Sequence, residues 1–273
     1  MITFNQQPMN KLKYINLILI FVIISCGTVP FSGRKQFTAI PSAQMISLAE
    51  DNYTQVLREN EPSGNQQYND QVKRVGERIT SAVEEYFSNQ GRQQLLKNYQ
   101  WEFNVLESEE KNAWCMPGGK IAFYEGIMPI CKDDNGVAVV MAHEIAHAVA
   151  RHGNERMSQQ LAVQLGGMVL SEALKEEEEK TRQLAMAAFG VGSQLGILLP
   201  YSRTHEREAD ELGLYFMAMA NYDPRGAPGF WKRMQAEGGS GPPEFLSTHP
   251  HPENRIQNME EHMQEALEYY EEK

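Results

Sequence analysis

The stretch Val137-Ala138-Val139-Val140-Met141-Ala142-His143-Glu144-Ile145-Ala146-His147-Ala148-Val149-Ala150 decides how the chain is read. From Gly136 through Arg151 the pattern is helical, with Gly153 placed to stop it. Residues four apart on a helix share a face, so His143 and His147 can aim both imidazoles at one point. Neutral imidazole is a zinc ligand, and zinc asks for roughly tetrahedral donors. Glu144 is displaced around the helix. It can stand beside an open coordination position, take a proton from an attacking water and return it to the leaving amine. A five-residue pattern of this kind also arises by chance. Here the apolar flanks bury the helix on most faces, and buried polar groups are costly without partners. A metal site is expected, rather than a surface helix with two incidental histidines.

Glu144 and His147 also fit the Glu-x-x-His element of di-iron helical bundles, which needs a second copy. The residues three before the other histidines are Val140, Val149, Ser202, Leu246, Thr248 and Met259. None is Glu, so a single-zinc site is the better reading. Its third ligand is sought in Ser202-Arg203-Thr204-His205-Glu206-Arg207-Glu208-Ala209-Asp210.

Outward from this site, two helices are expected over 44–59 and 70–87, with apolar stripes such as Val72, Val75, Ile79, Val83 and Tyr86. Trp101 to Leu106 alternates at period two and reads as a strand. Met116-Pro117-Gly118-Gly119 is a turn, and Lys120 to Tyr124 is a second strand. A long helical stretch follows from Glu155 to about Gln183, in which Glu176 to Glu179 reads as a solvated run. Leu184 to Leu199 is apolar but short and contains Ser193 and Gln194, which favours a buried core helix or an interfacial hairpin over a membrane span. Helices over about Ser202–Ala220 and Gly226–Ala236, a loop-like stretch from Glu237 to Pro250 and a last amphipathic helix complete the chain. The fold class expected is mainly α with a small β-sheet (α+β), with the active-site helix beside the sheet.

The chain has 273 residues, 41% of them apolar, and a formal net charge of −11. So acidic a surface repels phosphate backbones, which excludes nucleic acid as a natural partner. At the N-terminus, a polar stretch with Lys11 and Lys13 precedes an apolar run from Tyr14 to Ile24, too short to span a bilayer comfortably and suited to a signal peptide. The run ends Ile23-Ile24-Ser25-Cys26-Gly27, which resembles a bacterial lipobox with Cys26 as the lipidated residue. The domain organisation expected is a lipoprotein signal peptide over 1–25, an extended tether over 26–43 and a peptidase domain over 44–273. Membrane contact would come through the N-terminal lipid, in the bacterial cell envelope and facing the periplasm, with Gly27 favouring the outer membrane. Cys115 and Cys131 remain as either a disulfide or two separate thiols, since spacing cannot decide between them.

The segment from Ser202 to Asp210 makes a resemblance specific. The chain resembles peptidase family M48, which includes the HtpX proteases, the CAAX prenyl endopeptidases and lipoprotein proteases of the LoiP and BepA kind. That family pairs a His-Glu-x-x-His helix with a Ser-Arg-x-x-Glu-x-x-Ala-Asp helix, and Ser202, Arg203, Glu206, Ala209 and Asp210 match. The resemblance implies one zinc ion per chain with Glu206 as third ligand, and Asp210 accepting the other ring N–H of a ligating histidine. Val29 to Gln36 resembles the stretch after the lipobox in the family's lipoproteins. Asn112 to Ile121 resembles a family strand, so Gly118, Gly119, Lys120 and Ile121 are candidates for pairing with an extended substrate, a structural hairpin being the alternative. Thr248-His249-Pro250 with Arg255 resembles a BepA-like segment whose histidine can reach the metal or gate the site. A cationic group there can also stabilise an oxyanion. His152, His205, His251 and His262 are read as surface or structural. The chain shows neither a tetratricopeptide nor a PDZ appendage, and lacks the long transmembrane helices of the HtpX branch. The function expected is a zinc endopeptidase acting on misfolded or misassembled envelope proteins. A lipid-anchored chaperone with a structural or self-inhibited zinc site is the alternative from another class. Oligomeric state is not legible.

Overall fold

A computed structural model of the chain describes residues 26–237, 244–249 and 254–270. The expected signal peptide, Pro250 and His251 lie outside these residues. The architecture is α+β and mostly helical, as the sequence leads one to expect. Helices α1 (Ser42–Glu59) and α2 (Gln66–Asn89) come first. Strands β3 (Glu102–Leu106), β4 (Ala113–Met116) and β5 (Lys120–Tyr124) follow a short N-terminal pair, β1 (Cys26–Thr28) and β2 (Lys35–Phe37). Then come α3 (Met128–Cys131), α4 (Asp134–Val149), α5 (His152–Ala173), α6 (Glu179–Ser193), α7 (Leu199–Met219), α8 (Ala227–Ala236), α9 (Glu244–Thr248) and α10 (Arg255–Leu267).

Helix α4 is the axis of the fold. The Asp133 side chain caps it by accepting from the Gly136 amide at 2.9 Å, and every residue from Gly136 to Val149 is buried. Val72, Val75, Ile79 and Val83 of α2 form a buried stripe in the same core. Helix α7 packs on α4 from another side, and α10 covers α7. The crossing of α4 and α7 is close because Gly213 has no side chain: a Cβ there would stand 3.3 Å from the His143 amide nitrogen and 3.4 Å from its Cα.

The three-stranded sheet has the order β3-β5-β4, with β5 parallel to β3 and antiparallel to β4. Gly118 and Gly119, with φ of 93° and 92°, turn the chain from β4 into β5 in a conformation that side chains oppose. Strand β4, not β5, is thus an edge.

Several expectations are corrected. Helix α4 ends because Arg151 adopts a left-handed conformation with φ 59°, and Gly153 lies inside α5. The long helix expected from Glu155 breaks after Ala173, between α5 and α6. The stretch expected to be a loop before Pro250 contains α9. The run from Gly27 to Pro41 is not an extended tether: β1 and β2 pair as a hairpin, Val29 enters the core, and Phe31 lies 5.1 Å from both Tyr86 and Tyr215, ring centre to ring centre. Cys115 and Cys131 are separate free thiols.

The apolar run from Leu184 is not a core helix either. Helices α5 and α6 form a hairpin, with Phe189 against Gly166 and Gly167. Leu161, Leu165 and Met168 of α5 and Leu184 and Val191 of α6 remain exposed on its outside. Through a π-helical turn (Gln194–Leu198) α6 continues into α7, giving one helix over Glu179–Met219. By length and composition it is apolar enough to cross a membrane, with only 6% of its most apolar window buried.

Candidate metal centre

Four side chains from three parts of the chain meet inside the protein. Helix α4 supplies His143 and His147, α7 supplies Glu206, and the residue after α9 supplies His249. All four are buried, and one donor atom from each lies within 4.8 Å of the others. His143 Nε2 is 3.1 Å from His147 Nε2 and 3.4 Å from a Glu206 oxygen. His147 Nε2 is 3.4 Å from the other Glu206 oxygen. His249 Nδ1 is 3.3 Å from His143 Nε2 and 3.2 Å from Glu206 Oε2. Donors about 2.0–2.1 Å from a tetrahedral ion stand roughly 3.3–3.4 Å apart, so the spacings fit zinc.

The electrostatics differ from donor to donor. Burial opposes protonation of His143, but hydrogen bonds to Asp210 and Glu206 outweigh it and raise its pKa to about 9. Burial holds His147 far below the usual imidazole range, and so neutral, as a ligand must be. Burial would raise the Glu206 carboxyl, yet the neighbouring histidines His147 and His249 hold it well below the usual range. Burial pushes Glu144 above the ordinary carboxylate range, which suits a group that must take and release a proton.

Asp210 lies one helical turn past Glu206 and places Oδ1 3.0 Å from Nδ1 of His143. Arg255 donates to the same oxygen at 2.5 Å, and its guanidinium lies over the Trp231 ring at 3.3 Å. Arg255 is fully buried and is not among the residues lining the cleft, and its Nη2 also lies 3.7 Å from a Glu206 oxygen. His249 does line the cleft, with Nε2 3.4 Å from Glu144.

The cleft outside Glu144, about 580 Å³, is lined by Met45, Ile46, Trp114, Met116, Pro117 and Met157, among others. Its sheet wall is the edge strand β4, whose Trp114, Cys115 and Met116 line it together with Glu144. Lys120 and Ile121 are corrected as substrate-pairing residues: they sit in the central strand, where β3 and β4 already pair with both sides. Of the glycines, Gly118 lines the cleft, and Gly119 is packed beneath Trp101.

The profile of Peptidase family M48 matches residues 69–263, which takes in the three-stranded sheet and His143, Glu144, His147, Glu206, Asp210, His249 and Arg255. The chain belongs to peptidase family M48. It is a zinc metalloendopeptidase by that membership, and its donor set suits the ion. Among M48 relatives, the mitochondrial metalloendopeptidase OMA1 of Schizosaccharomyces pombe is 34% identical over 87% of this chain and 66% of its own length. OMA1 of Saccharomyces cerevisiae is 30% identical over 95% and 76%. The beta-barrel assembly-enhancing protease of Escherichia coli is 26% identical over 85% and 46%. The chain thus spans from under half to about three quarters of these relatives.

The comparison overturns the expected location. Proteins named as mitochondrial, from yeasts, plant and animals, dominate the matches, and the bacterial ones match at 26–29% identity. A bacterial outer-membrane lipoprotein is therefore withdrawn as the reading. The physical reason is that two lysines before a short apolar run form a generic targeting pattern, and a single cysteine after it is weak evidence of lipidation.

Two more histidines lie behind the M48 site. His152 and His205, read as surface or structural, are fully buried in the layer behind His147. A charged or imidazole residue one turn past a metal-binding histidine was the available signal. The left-handed break at Arg151 hides it, because His152 is not on a continuous helix with His147.

Proposed function

We propose that His143, His147 and Glu206 hold the zinc ion, that Glu144 is the general base and acid, and that the cleft takes extended segments of protein chains. The observation that carries this is the set of donor spacings around one buried point, with Glu144 beside it at the floor of a cleft. Zinc, when bound, supplies Lewis acidity that lowers the pKa of water and polarises a peptide carbonyl. Glu144 takes the proton of the attacking water and passes it to the leaving nitrogen, and its raised pKa makes both transfers accessible. Asp210 holds His143 in the tautomer that presents Nε2, and Arg255 holds Asp210.

Edge strand β4 offers main-chain pairing to a substrate, which gives affinity without demanding a sequence. The apolar wall of Met45, Ile46, Trp114 and Met157 favours apolar side chains near the scissile bond. Folded proteins hide both features, so unfolded or misassembled proteins are the substrates this cleft fits, consistent with a role in quality control. His249 within the donor set supports a second feature, a self-restrained resting state in which its imidazole fills the fourth position.

Digestion of casein by the purified protein tests this reading. Chelator should abolish it and zinc restore it. Glu144→Gln should lose it at unchanged zinc content, and full activity in that variant would overturn the assignment of the base.

A further inference from the structure

Behind His147, on the side away from His143, a line of buried polar groups leads to the N-terminal turn. His152 Nδ1 lies 2.9 Å from His147 Nδ1, and His152 Nε2 lies 2.9 Å from Glu208 Oε2. Glu208 also accepts from the Ser32 hydroxyl and, at 3.0 Å, from Nε of Arg34. The same guanidinium binds Glu155 through two nitrogens, at 3.1 and 2.7 Å. Glu155 in turn accepts from His205 at 2.9 Å, and the His205 ring stacks on His152 with centres 4.4 Å apart. His152, Glu155, Glu208 and His205 are all buried.

The direction of these hydrogen bonds is fixed from one end. Glu208 is bound by Arg34 and Ser32 and acts as an acceptor, so His152 donates through Nε2. Its Nδ1 then carries a lone pair and accepts the Nδ1–H of His147. That leaves Nε2 of His147 as the only nitrogen with a lone pair, and Nε2 is the atom facing Glu206 and His143. A hydrogen-bonded partner on the far side of a ligating imidazole sets its tautomer and angle. Asp210 does this for His143. For His147 the partner is a histidine, and what orients that histidine is a carboxylate held by the turn between β1 and β2.

We propose that Arg34, Glu208 and His152 form a positioning relay for His147, which makes the turn Val29–Arg34 a working part of the metal centre rather than a leader to the domain. The proposal rests on His147 being a zinc ligand, and the experiment separates the two.

Zinc affinity of the purified full chain is measured by competition with a chromophoric chelator, alongside the thermal stability of the zinc-free form. His152→Ala should weaken zinc binding roughly 10- to 100-fold, the range for loss of such a partner. His152→Asn keeps an acceptor near His147 but loses the reach to Glu208, and should fall between Ala and the parent. Arg34→Ala, which removes a partly exposed side chain, should weaken binding several-fold and serves if His152→Ala does not fold. Val83→Ala on α2, away from the site, controls for stability: it should lower the melting temperature of the zinc-free form without changing zinc affinity. The relay is overturned if His152→Ala and Arg34→Ala bind zinc within about twofold of the parent while His147→Ala has lost it. It is also overturned if affinity simply follows zinc-free stability across the set, Val83→Ala included. Should His147→Ala itself bind zinc as the parent does, the ligand assignment fails first and the relay with it.

Discussion

Asp210 and His143 are joined by a 3.0 Å contact between Oδ1 and Nδ1, and that oxygen is shared with Arg255. One carboxylate therefore both orients an imidazole and neutralises a guanidinium in a buried space. Asp210→Asn keeps the shape but can present an N–H to His143 where an acceptor is needed, and it leaves Arg255 buried without its anion. Zinc affinity should fall roughly 10- to 100-fold, and stability by about 3–5 kcal/mol, as for breaking a buried ion pair. Chelator competition and urea denaturation read the two effects. Unchanged zinc affinity would remove Asp210 from the metal centre.

His249 contributes a nitrogen to the donor set and also faces Glu144. If it restrains the resting enzyme, His249→Ala frees a coordination position and should raise peptide hydrolysis several-fold at saturating zinc, while zinc affinity falls. Hydrolysis that drops in this variant would instead make His249 part of the chemistry. The paired measurement of kcat and zinc affinity separates the two outcomes.

How much of this was legible in the sequence follows the range of the interactions. The spacing of His143, Glu144 and His147 is local, and so are the helices and strands with clean apolar periods. Glu206 and Asp210 are brought to them by a helix crossing more than sixty residues away in sequence, and only the resemblance to a known pattern pointed there. Strand β4 was read only through that resemblance: Ala113-Trp114-Cys115-Met116 has no polar alternation, because both faces are partly covered. The resemblance spanned Asn112 to Ile121, and the substrate-pairing residues were placed on its second half, Gly118 to Ile121, which leads into the central strand β5. The apolar run in α6 was read as either a core helix or an interfacial hairpin, and composition alone could not choose between them. Apolar composition implies removal from water, but not by which neighbour, and here the helix packs against α5 and leaves Leu184 and Val191 exposed.

Gly213 tests the crossing on which the site depends. A Cβ at this position would press on the backbone of His143, which cannot turn aside as a flexible side chain can. Gly213→Val should force α7 away from α4 and cost about 1–3 kcal/mol of stability. Because Glu206 and Asp210 ride on α7, zinc affinity should fall together with stability. A variant that loses stability but binds zinc normally would show that the two helices can separate without disturbing the donors.

Acid stability tests the part-buried ion pair of Arg34 and Glu155. Burial would raise the Glu155 carboxyl, but hydrogen bonds from His205 and Arg34 outweigh it and bring its pKa down to about 2, from an ordinary 4.5. A carboxyl depressed in the folded state stabilises above its unfolded value, and the contribution fades as pH falls through the folded one. The shift is shared between His205 and Arg34, so removing Arg34 takes away only its part of the stabilisation. The gap in unfolding free energy between the parent and Arg34→Ala should therefore be full at pH 7 and close as pH falls from about 4.5 towards 2. Urea denaturation across that range measures it. A gap that stays constant to the acid end would mean that Arg34 acts by packing alone, and that the charge on Glu155 contributes nothing to holding the N-terminal turn against the metal centre.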